Sequence, residues 1–382
     1  MILLALNSFK EIMPSSEISS HIERGIKSIK KIECNTLEVS DGGDGFLDSL
    51  DNLNYDRHEI DTLDPYQNRI RAELLISENK EFGIIEIANI CGLKFINKDA
   101  QNQFHASSKG IGIAIDYCLN LEIENIVLGL GGSGISDLGI GASAYLGTKF
   151  IDSDNSNIDF SGTDFDLRNV KKISKIEYDK IAGKIQDSNI ILAADVYNPL
   201  LGPLGSANLF AKNKGATKDD IATITEIHEH YRNLILKLFN LDINVKMNAS
   251  AGGFSSSFLP LVNSNLVSGF QFFRDNIKLD LHIQNSDVII TGEGIFDKTS
   301  LNGKFPLELL KLSKKYNRLV FGVFGKKNYT GVERHFDFTV ELDKLKKFEG
   351  DIYDAYFTKR ILPEQLYKAG QIIAKEVSKF GI

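Results

Sequence analysis

Cysteine is scarce in this chain, and acidic residues outnumber basic ones. Cys34, Cys91 and Cys118 are far apart and form no Cys-x-x-Cys or Cys/His metal spacing, so we expect inert thiols in a reducing compartment. A formal charge of −7 over 382 residues argues against nucleic-acid partners, because neutralising phosphates requires a basic surface. It still permits a small anionic ligand, which needs only a local cluster of lysines and backbone dipoles.

Long apolar runs and the common phosphate-loop signature are also missing. No stretch approaches the roughly 18 apolar residues that span a bilayer, and residues 1–6 are too short for a signal peptide's apolar region. We therefore expect a cytoplasmic protein with no membrane partner. No Gly-x-x-x-x-Gly-Lys-Ser/Thr run exists, so any phosphate chemistry is not of the P-loop kind.

The pattern of buried strands predicts an α/β fold. Apolar, β-branched runs near Ile2, Ile126, Val288 and Val320 are typical of parallel strands covered on both faces. The extended runs 69–76 and 81–88, joined by 77–80, instead predict a hairpin. Because the chain exceeds the usual single-core size, we expect a Rossmann-like parallel sheet domain (1–55, 105–148 and 265–382). A second α/β domain (56–104 and 149–264) is inserted into it, with a ligand cleft between them.

Candidate ligand groups follow several of these strands. The run Val288–Ile290 is expected to end at a turn through Gly292, Glu293 and Gly294, with Asp297 and Lys304 beyond it. Parallel sheets bind ligands at the carboxyl ends of their strands. The alternative is an ordinary corner in which Asp297 caps its own turn.

Two further loops carry polar groups near the amino terminus. The first strand opens into Ser8 and Lys10, and Asp41-Gly-Gly-Asp-Gly45 follows a short strand predicted over 36–39. Asp41 and Asp44 are placed to meet a cation or polyol hydroxyls, although both also suit a plain turn.

A nucleotide-binding dehydrogenase is the main rival interpretation. Gly129-Leu-Gly-Gly-Ser-Gly134 is a literal G-x-G-x-x-G between a strand and a helix predicted over 135–146. Asp152 lies roughly 20 residues on, where a dinucleotide fold places its ribose-binding acid.

Asp195 is the candidate general base. It follows the buried strand 189–193 and precedes the turn-forming pair Asn198-Pro199, a position from which a carboxylate can accept a proton from a bound ligand. Lys214 follows shortly after, ahead of a predicted helix.

Taken together, the motifs resemble the type 1 glycerate kinase family. The resemblance covers nearly the whole chain, and its motifs fall in the family's order: Ser8-Phe-Lys10, Asp41-Gly-Gly-Asp-Gly45, Gly131-Gly-Ser133 with Asp137, Asp195-Val-Tyr-Asn-Pro-Leu-Leu-Gly-Pro203, Lys214-Gly-Ala-Thr217, Ala251-Gly-Gly253, and Thr291-Gly-Glu-Gly294 with Asp297 and Gly303-Lys304.

The resemblance implies phosphorylation of D-glycerate by ATP with Mg²⁺, on the 2-hydroxyl, and leaves a homo-oligomer open. It implies catalytic Asp195, Lys10 and Lys214, and substrate-binding Ser8, Asp41, Asp44 and Asn198. Nucleotide binding would use Gly131, Gly132, Ser133, Gly292, Gly294 and Lys304, and the metal Glu293 and Asp297. The chain departs from the family pattern at Asn7, Tyr197, Leu204 and Asn213, so a weakened or re-specified relative that acts on or binds another small hydroxy acid is the second alternative.

Overall fold

The computed structural model describes residues 1–9, 12–40, 42–43, 45–50, 53–96, 103–301, 303–329, 331, 334–345 and 355–382. Lys10, Asp41 and Asp44 lie outside the described residues. The chain forms two compact units: Met1–Ser40, Asp44–Leu50 and Phe270–Ile382 make the first, and Asp41–Gly43 and Asp51–Gly269 make the second. Among the described helices, none is long and apolar enough to cross a membrane.

Strands and helices alternate along much of the chain. The strands are β1 (Ile2–Leu4), β2 (Cys34–Thr36), β3 (Tyr55–Leu63), β4 (Arg69–Ser77), β5 (Phe82–Glu86), β6 (Asn125–Gly129), β7 (Lys149–Ile151), β8 (Asn157–Ile158), β9 (Lys175–Glu177), β10 (Asn189–Ala194), β11 (Ser264–Ser268), β12 (Val288–Phe296), β13 (Leu319–Lys327) and β14 (Phe338–Glu341). The α-helices are α1 (Ser15–Ile29), α2 (Ile87–Cys91), α3 (Lys109–Asn120), α4 (Ile140–Leu146), α5 (Asp179–Lys184), α6 (Ser206–Phe210), α7 (Lys218–Phe239), α8 (Gly269–Asn276), α9 (Leu279–Gln284), α10 (Phe305–Lys315) and α11 (Ala355–Val377).

The first unit is built on a parallel sheet in the order β14-β13-β12-β1-β2. Its central strands begin with apolar residues that have no solvent exposure, such as Ile2 and Val288, as a parallel sheet covered by helices requires. Helices α1 and α11 pack closely because Gly25 has no side chain: a Cβ there would lie 2.0 Å from the Tyr367 carbonyl oxygen.

The second unit contains a sheet in the order β11-β10-β6-β5-β4-β3. Strands β11, β10, β6 and β5 run parallel, whereas β5, β4 and β3 pair antiparallel. The predicted hairpin is therefore confirmed as the pair β4–β5. A small antiparallel sheet, β8-β7-β9, belongs to the same unit.

Three expectations about the strands and helices are wrong. Residues 125–129 do not share the sheet of Ile2 and Val288, because β6 pairs with β5 and β10 on its two sides; the segment 105–148 thus belongs to the second unit. β12 does not end at Gly292, since it pairs with β13 as far as Phe296. The helix expected from residue 135 begins only at Ile140. The other domain boundaries, and a cleft between domains, stay predictions.

Candidate active site

In the second unit, a glycine-rich loop crosses the carboxyl ends of β6 and β10. The Gly131 N–H donates to the Gly42 carbonyl at 2.8 Å. A Cβ on Gly131 would lie 2.3 Å from the Gly43 Cα and 3.1 Å from Asp195 Oδ2. Only glycine at position 131 therefore allows the 42–43 backbone to approach and leaves the Asp195 carboxylate room beside it.

Two backbone N–H groups of this loop have no hydrogen-bond partner among the described residues. The predicted ligand donor Gly131 N–H is taken by Gly42, but the N–H groups of Gly132 and Ser133 have no partner within the described ranges. Gly132 has φ +68°, and its carbonyl accepts from Leu93 N at 3.1 Å. Consecutive free N–H groups in a turn with positive φ favour an anionic ligand.

The backbone N–H groups at the start of helix α4 donate to a buried carboxylate and not to a ligand. Asp137 has no solvent exposure. It accepts hydrogen bonds from Ser108 Oγ at 2.6 Å and from the Gly139 and Gly141 N–H groups at 3.1 and 3.2 Å. Burial raises the pKa of Asp137, and these hydrogen bonds act against that rise. The sequence had suggested that Gly131, Gly132 and Ser133 lie at a helix N-terminus. This is wrong, because α4 begins only at Ile140.

Lys214 lies beneath this loop and has little access to solvent. The residue is 4% exposed. The ammonium donates to the Ile135 carbonyl and lies 3.4 Å from Ser133 Oγ. Burial lowers the pKa of Lys214 to about 8, although the carboxylates of Asp195 and Asp137 act in the opposite direction. A cation is thus held inside the second unit, within the electrostatic reach of Asp195.

His228, a buried residue of α7, also binds the backbone that follows this loop, and the sequence revealed no such role. Its Nε2 donates to the Ser136 carbonyl at 3.0 Å, next to the carbonyl that Lys214 holds. Burial lowers the pKa of His228 to about 4, with the Lys214 charge contributing. The available signal was its helical spacing from Ile224 and Tyr231, which put it on the buried face of α7.

Asn198 braces the segment that follows Asp195. It is 4% exposed; its Nδ2 donates to the Leu204 carbonyl at 3.0 Å, and its own carbonyl accepts from Ala249 N at 3.0 Å. Among the described residues, Oδ1 has no partner. A substrate-binding role for Asn198 would use this oxygen and the second N–H of Nδ2, and it stays a prediction.

The departures from the family pattern differ in their surroundings. Tyr197 lies two residues from Asp195, with its hydroxyl 3.4 Å from Ser268 Oγ and Lys246 Nζ 5.1 Å from its ring centroid. Leu204 is 55% exposed, and Asn213 is also exposed. Tyr197 is therefore the departure that lies closest in sequence to Asp195 and is held against the carboxyl end of β11.

In the first unit, candidate groups gather where β1 ends and along β12. Asn7 N donates to the Gly292 carbonyl at 3.0 Å, which places Ser8 just beyond this contact. Glu293 is 7% exposed, and its Oε2 lies 3.4 Å from Lys304 Nζ. Lys304 precedes helix α10.

One glycine in β12 and one in β13 serve the pairing of these two strands. A Cβ on Gly292 would lie 1.7 Å from the Val323 carbonyl oxygen, and one on Gly325 would lie 2.4 Å from the Gly294 carbonyl oxygen. These glycines let β12 and β13 approach closely, so a nucleotide-binding role for Gly292 and Gly294 stays a prediction.

Asp297 caps the turn that follows β12. Its Oδ1 accepts from Ser300 N at 3.3 Å, and its own N–H donates to Ser300 Oγ at 3.2 Å. Within the part of the chain that the structure describes, no group of three or more His, Cys, Asp or Glu residues could hold a metal ion. Glu293 and Asp297 supply the hard oxygen donors that Mg²⁺ accepts, but their metal role stays a prediction.

Asp152 does not occupy the position that a ribose-binding carboxylate would have in a dinucleotide-binding fold. Asp152 follows β7 in the small antiparallel sheet, and its Oδ1 accepts from Asp154 N and Ser156 N, each at 2.9 Å. It therefore caps an exposed turn, where the rival fold would need a ribose-binding carboxylate after the next parallel strand.

Comparison with known proteins points in one direction. Residues 2–342 match the model of the glycerate kinase family. The chain is 30% identical to glycerate 2-kinase of Escherichia coli K12 over 328 residues, covering 85% of this chain and 84% of that protein. It is also 30% identical over 336 residues to a glycerate kinase of Bacillus cereus, covering 87% of each chain. A crystal structure assigned as glycerate kinase 2 from Salmonella typhimurium LT2 superimposes with a TM-score of 0.76 at 23% identity, covering 100% of this chain and 98% of that one; it supports the mixed α/β fold.

Proposed function

The chain belongs to the glycerate kinase family and is an enzyme of the kinase class, and from that membership we propose that it phosphorylates D-glycerate with ATP to give 2-phosphoglycerate. The motif order at 8–10, 41–45, 131–133, 195–203, 214–217 and 291–297 supports its placement in the type 1 branch. Because its substrates would be a nucleotide and a small hydroxy acid, we propose that it works in the cytoplasm.

One observation carries the proposal: a loop with two backbone N–H groups that have no partner among the described residues lies beside a carboxylate. The free N–H groups of Gly132 and Ser133 favour a phosphoryl oxygen, and Gly131 leaves room for Asp195 next to this loop. Phosphoryl transfer depends on positioning and charge neutralisation more than on covalent chemistry by the protein. A loop of donors next to a proton acceptor meets both needs.

In the proposed reaction, Asp195 accepts the proton of the substrate hydroxyl. The hydroxyl oxygen forms a bond to the γ-phosphorus of ATP, and the bond from that phosphorus to the bridging oxygen of ADP breaks. The Gly132 and Ser133 N–H groups bind the transferring phosphoryl group, while the Lys214 charge lies behind the loop. Donors arranged before the reaction stabilise the charge that develops in it.

The remaining predicted groups complete the proposal. Ser8 and Asn198, with Lys10, Asp41 and Asp44, would bind the hydroxy acid; Lys304, Gly292 and Gly294 would serve the nucleotide. Glu293 and Asp297 would hold Mg²⁺, which when bound neutralises phosphate charge and orients its oxygens. Glu293 Oε2 lies 3.4 Å from the Lys304 ammonium, so a proposed metal ligand and a proposed nucleotide ligand are neighbours in the first unit.

The test is a coupled ADP-release assay against a panel of small hydroxy acids, with the product identified by phosphorus NMR. We expect turnover of D-glycerate and phosphorylation at the 2-hydroxyl. Asp195→Asn should lower kcat by about 10²-fold or more, as loss of a general base does. Asp187→Asn is the matched control, because Asp187 is exposed and precedes the opposite end of β10. Near-normal kcat in Asp195→Asn would refute the assignment, and turnover of another acid alone would favour the re-specified alternative.

A further inference from the structure

We propose that Lys214 acts as a positioning residue that directs the Ser133 hydroxyl proton toward the bound phosphoryl group. The identification of that anion rests on the proposed function. The inference replaces the expectation that Lys214 itself contacts an anion, because its ammonium already contacts the Ile135 carbonyl and Ser133 Oγ.

The direction of the hydroxyl proton follows from counting donors and acceptors. A lysine ammonium has three donors and no acceptor, whereas a serine hydroxyl has one donor and two acceptor lone pairs. Lys214 Nζ lies 3.4 Å from Ser133 Oγ, so in this contact Ser133 must accept. Its own proton then points to another group, and no acceptor for it occurs among the described residues.

The ammonium is held in this arrangement by a second contact. Lys214 also donates to the Ile135 carbonyl, and His228 holds the neighbouring Ser136 carbonyl at 3.0 Å. Two buried side chains thus anchor the backbone at residues 135 and 136, just beyond the N–H groups of Gly132 and Ser133. Because both contacts are to backbone, the loop keeps an anchor when the Ser133 side chain is changed.

The hydroxyl adds a third donor to the anion-binding loop. Gly132 and Ser133 each have an N–H without a partner in the described part of the chain, and the Ser133 O–H belongs to the same two-residue segment. Three donors backed by a buried cation favour a dianionic phosphoryl group over a neutral ligand. Lys214 contributes through Ser133 and through its charge, without touching the substrate.

A double-mutant cycle tests this path. Ser133→Ala removes the hydroxyl. Lys214→Gln keeps an amide donor for Ile135 but adds an acceptor, so that Ser133 can turn its proton inward. A hydrogen bond to a charged group is worth about 10- to 100-fold in rate, so we expect each single variant to lower kcat by about that factor with little change in KM for glycerate. The kcat of the double variant should be no lower than that of the less active single variant. Ser133→Thr, which keeps a hydroxyl, should restore most of kcat.

Lys212→Gln is the matched control, since Lys212 is an exposed lysine two residues away; it should retain the parent's kcat, and melting temperatures should verify that every variant is folded. Multiplicative losses in the double variant, or a parental kcat in Lys214→Gln, would overturn the inference while leaving the kinase assignment intact. A parent with no turnover of any hydroxy acid would instead overturn the proposed function. In that case, the Kd for ATP of the parent, the two single variants and the double variant is measured by calorimetry. We expect the same non-additive effect of the two substitutions on Kd, and additive effects would overturn the inference.

Discussion

The buried imidazole of His228 makes a sharp prediction about stability in acid. His228 has no solvent exposure, and its pKa falls from 6.5 to about 4, chiefly by burial and with a contribution from Lys214. The folded state therefore keeps His228 neutral at a pH where the unfolded chain binds a proton. The free energy of unfolding that this difference contributes is fully present above pH 6.5 and is lost as the pH falls from there toward 4.

The size of the loss follows from the two pKa values. Linkage with values of 6.5 and about 4 gives a loss of about 2 kcal/mol at pH 5 relative to pH 8. His228→Gln removes the titration and keeps an amide that can donate to the Ser136 carbonyl. At pH 8 the parent should be more stable than this variant by about 1 kcal/mol, because an amide fits the buried imidazole site less well. By pH 5 this order should reverse.

The assay is urea unfolding of the parent and the variant at a series of pH values from 8 to 5. Groups other than His228 titrate in both proteins, so the difference between the two curves isolates this residue. His230→Gln on the same helix is the control; it keeps His228 and should follow the parent. Parallel curves for the parent and His228→Gln would show that the imidazole charges readily in the folded state, and the argument from burial would be wrong.

Three further predictions concern glycines and the proposed metal ligands. Gly131→Ala puts a Cβ 2.3 Å from the Gly43 Cα; it should lower kcat/KM by about 10²-fold through misplacement of the loop, and an active variant would contradict the close approach. Gly292→Ala puts a Cβ 1.7 Å from the Val323 carbonyl oxygen and should cost at least about 2 kcal/mol in urea unfolding, whereas Gly183→Ala, in a helix with open space around the new Cβ, should stabilise slightly. Asp297→Asn should raise the Mg²⁺ concentration for half-maximal rate if Asp297 binds the metal; a lower melting temperature with unchanged Mg²⁺ dependence would show that it serves only as the cap seen at Ser300.

The sequence alone was sufficient for features set by local patterns. The apolar run at 2–4 and the β-branched run at 288–290 predicted parallel strands, and the hairpin β4–β5 was expected from its extended runs and turn. Asp195 was placed correctly at the end of a buried strand, because strand ends are marked by the change from apolar to turn-forming residues. The order of short motifs along the chain was enough to predict the family.

Tertiary structure decided which strands are neighbours and which polar groups are buried. Strand β6 was expected beside β1 and β12, yet it pairs with β5 and β10, because an apolar strand carries no local mark of its partner. The glycines at 292 and 294 suggested a turn, but both lie within β12. Gly292 allows the close approach of β13, since a glycine admits a neighbouring backbone as well as a ligand.

The charged groups show the same limit. Lys214 and His228 are buried and contact residues 133–136, which are far away in sequence. Burial changes their pKa values and their hydrogen-bond partners, and neither can be read from the residues beside them in the chain. What the sequence determined was the presence of these side chains; the packing of distant segments determined which of them remain available to a ligand.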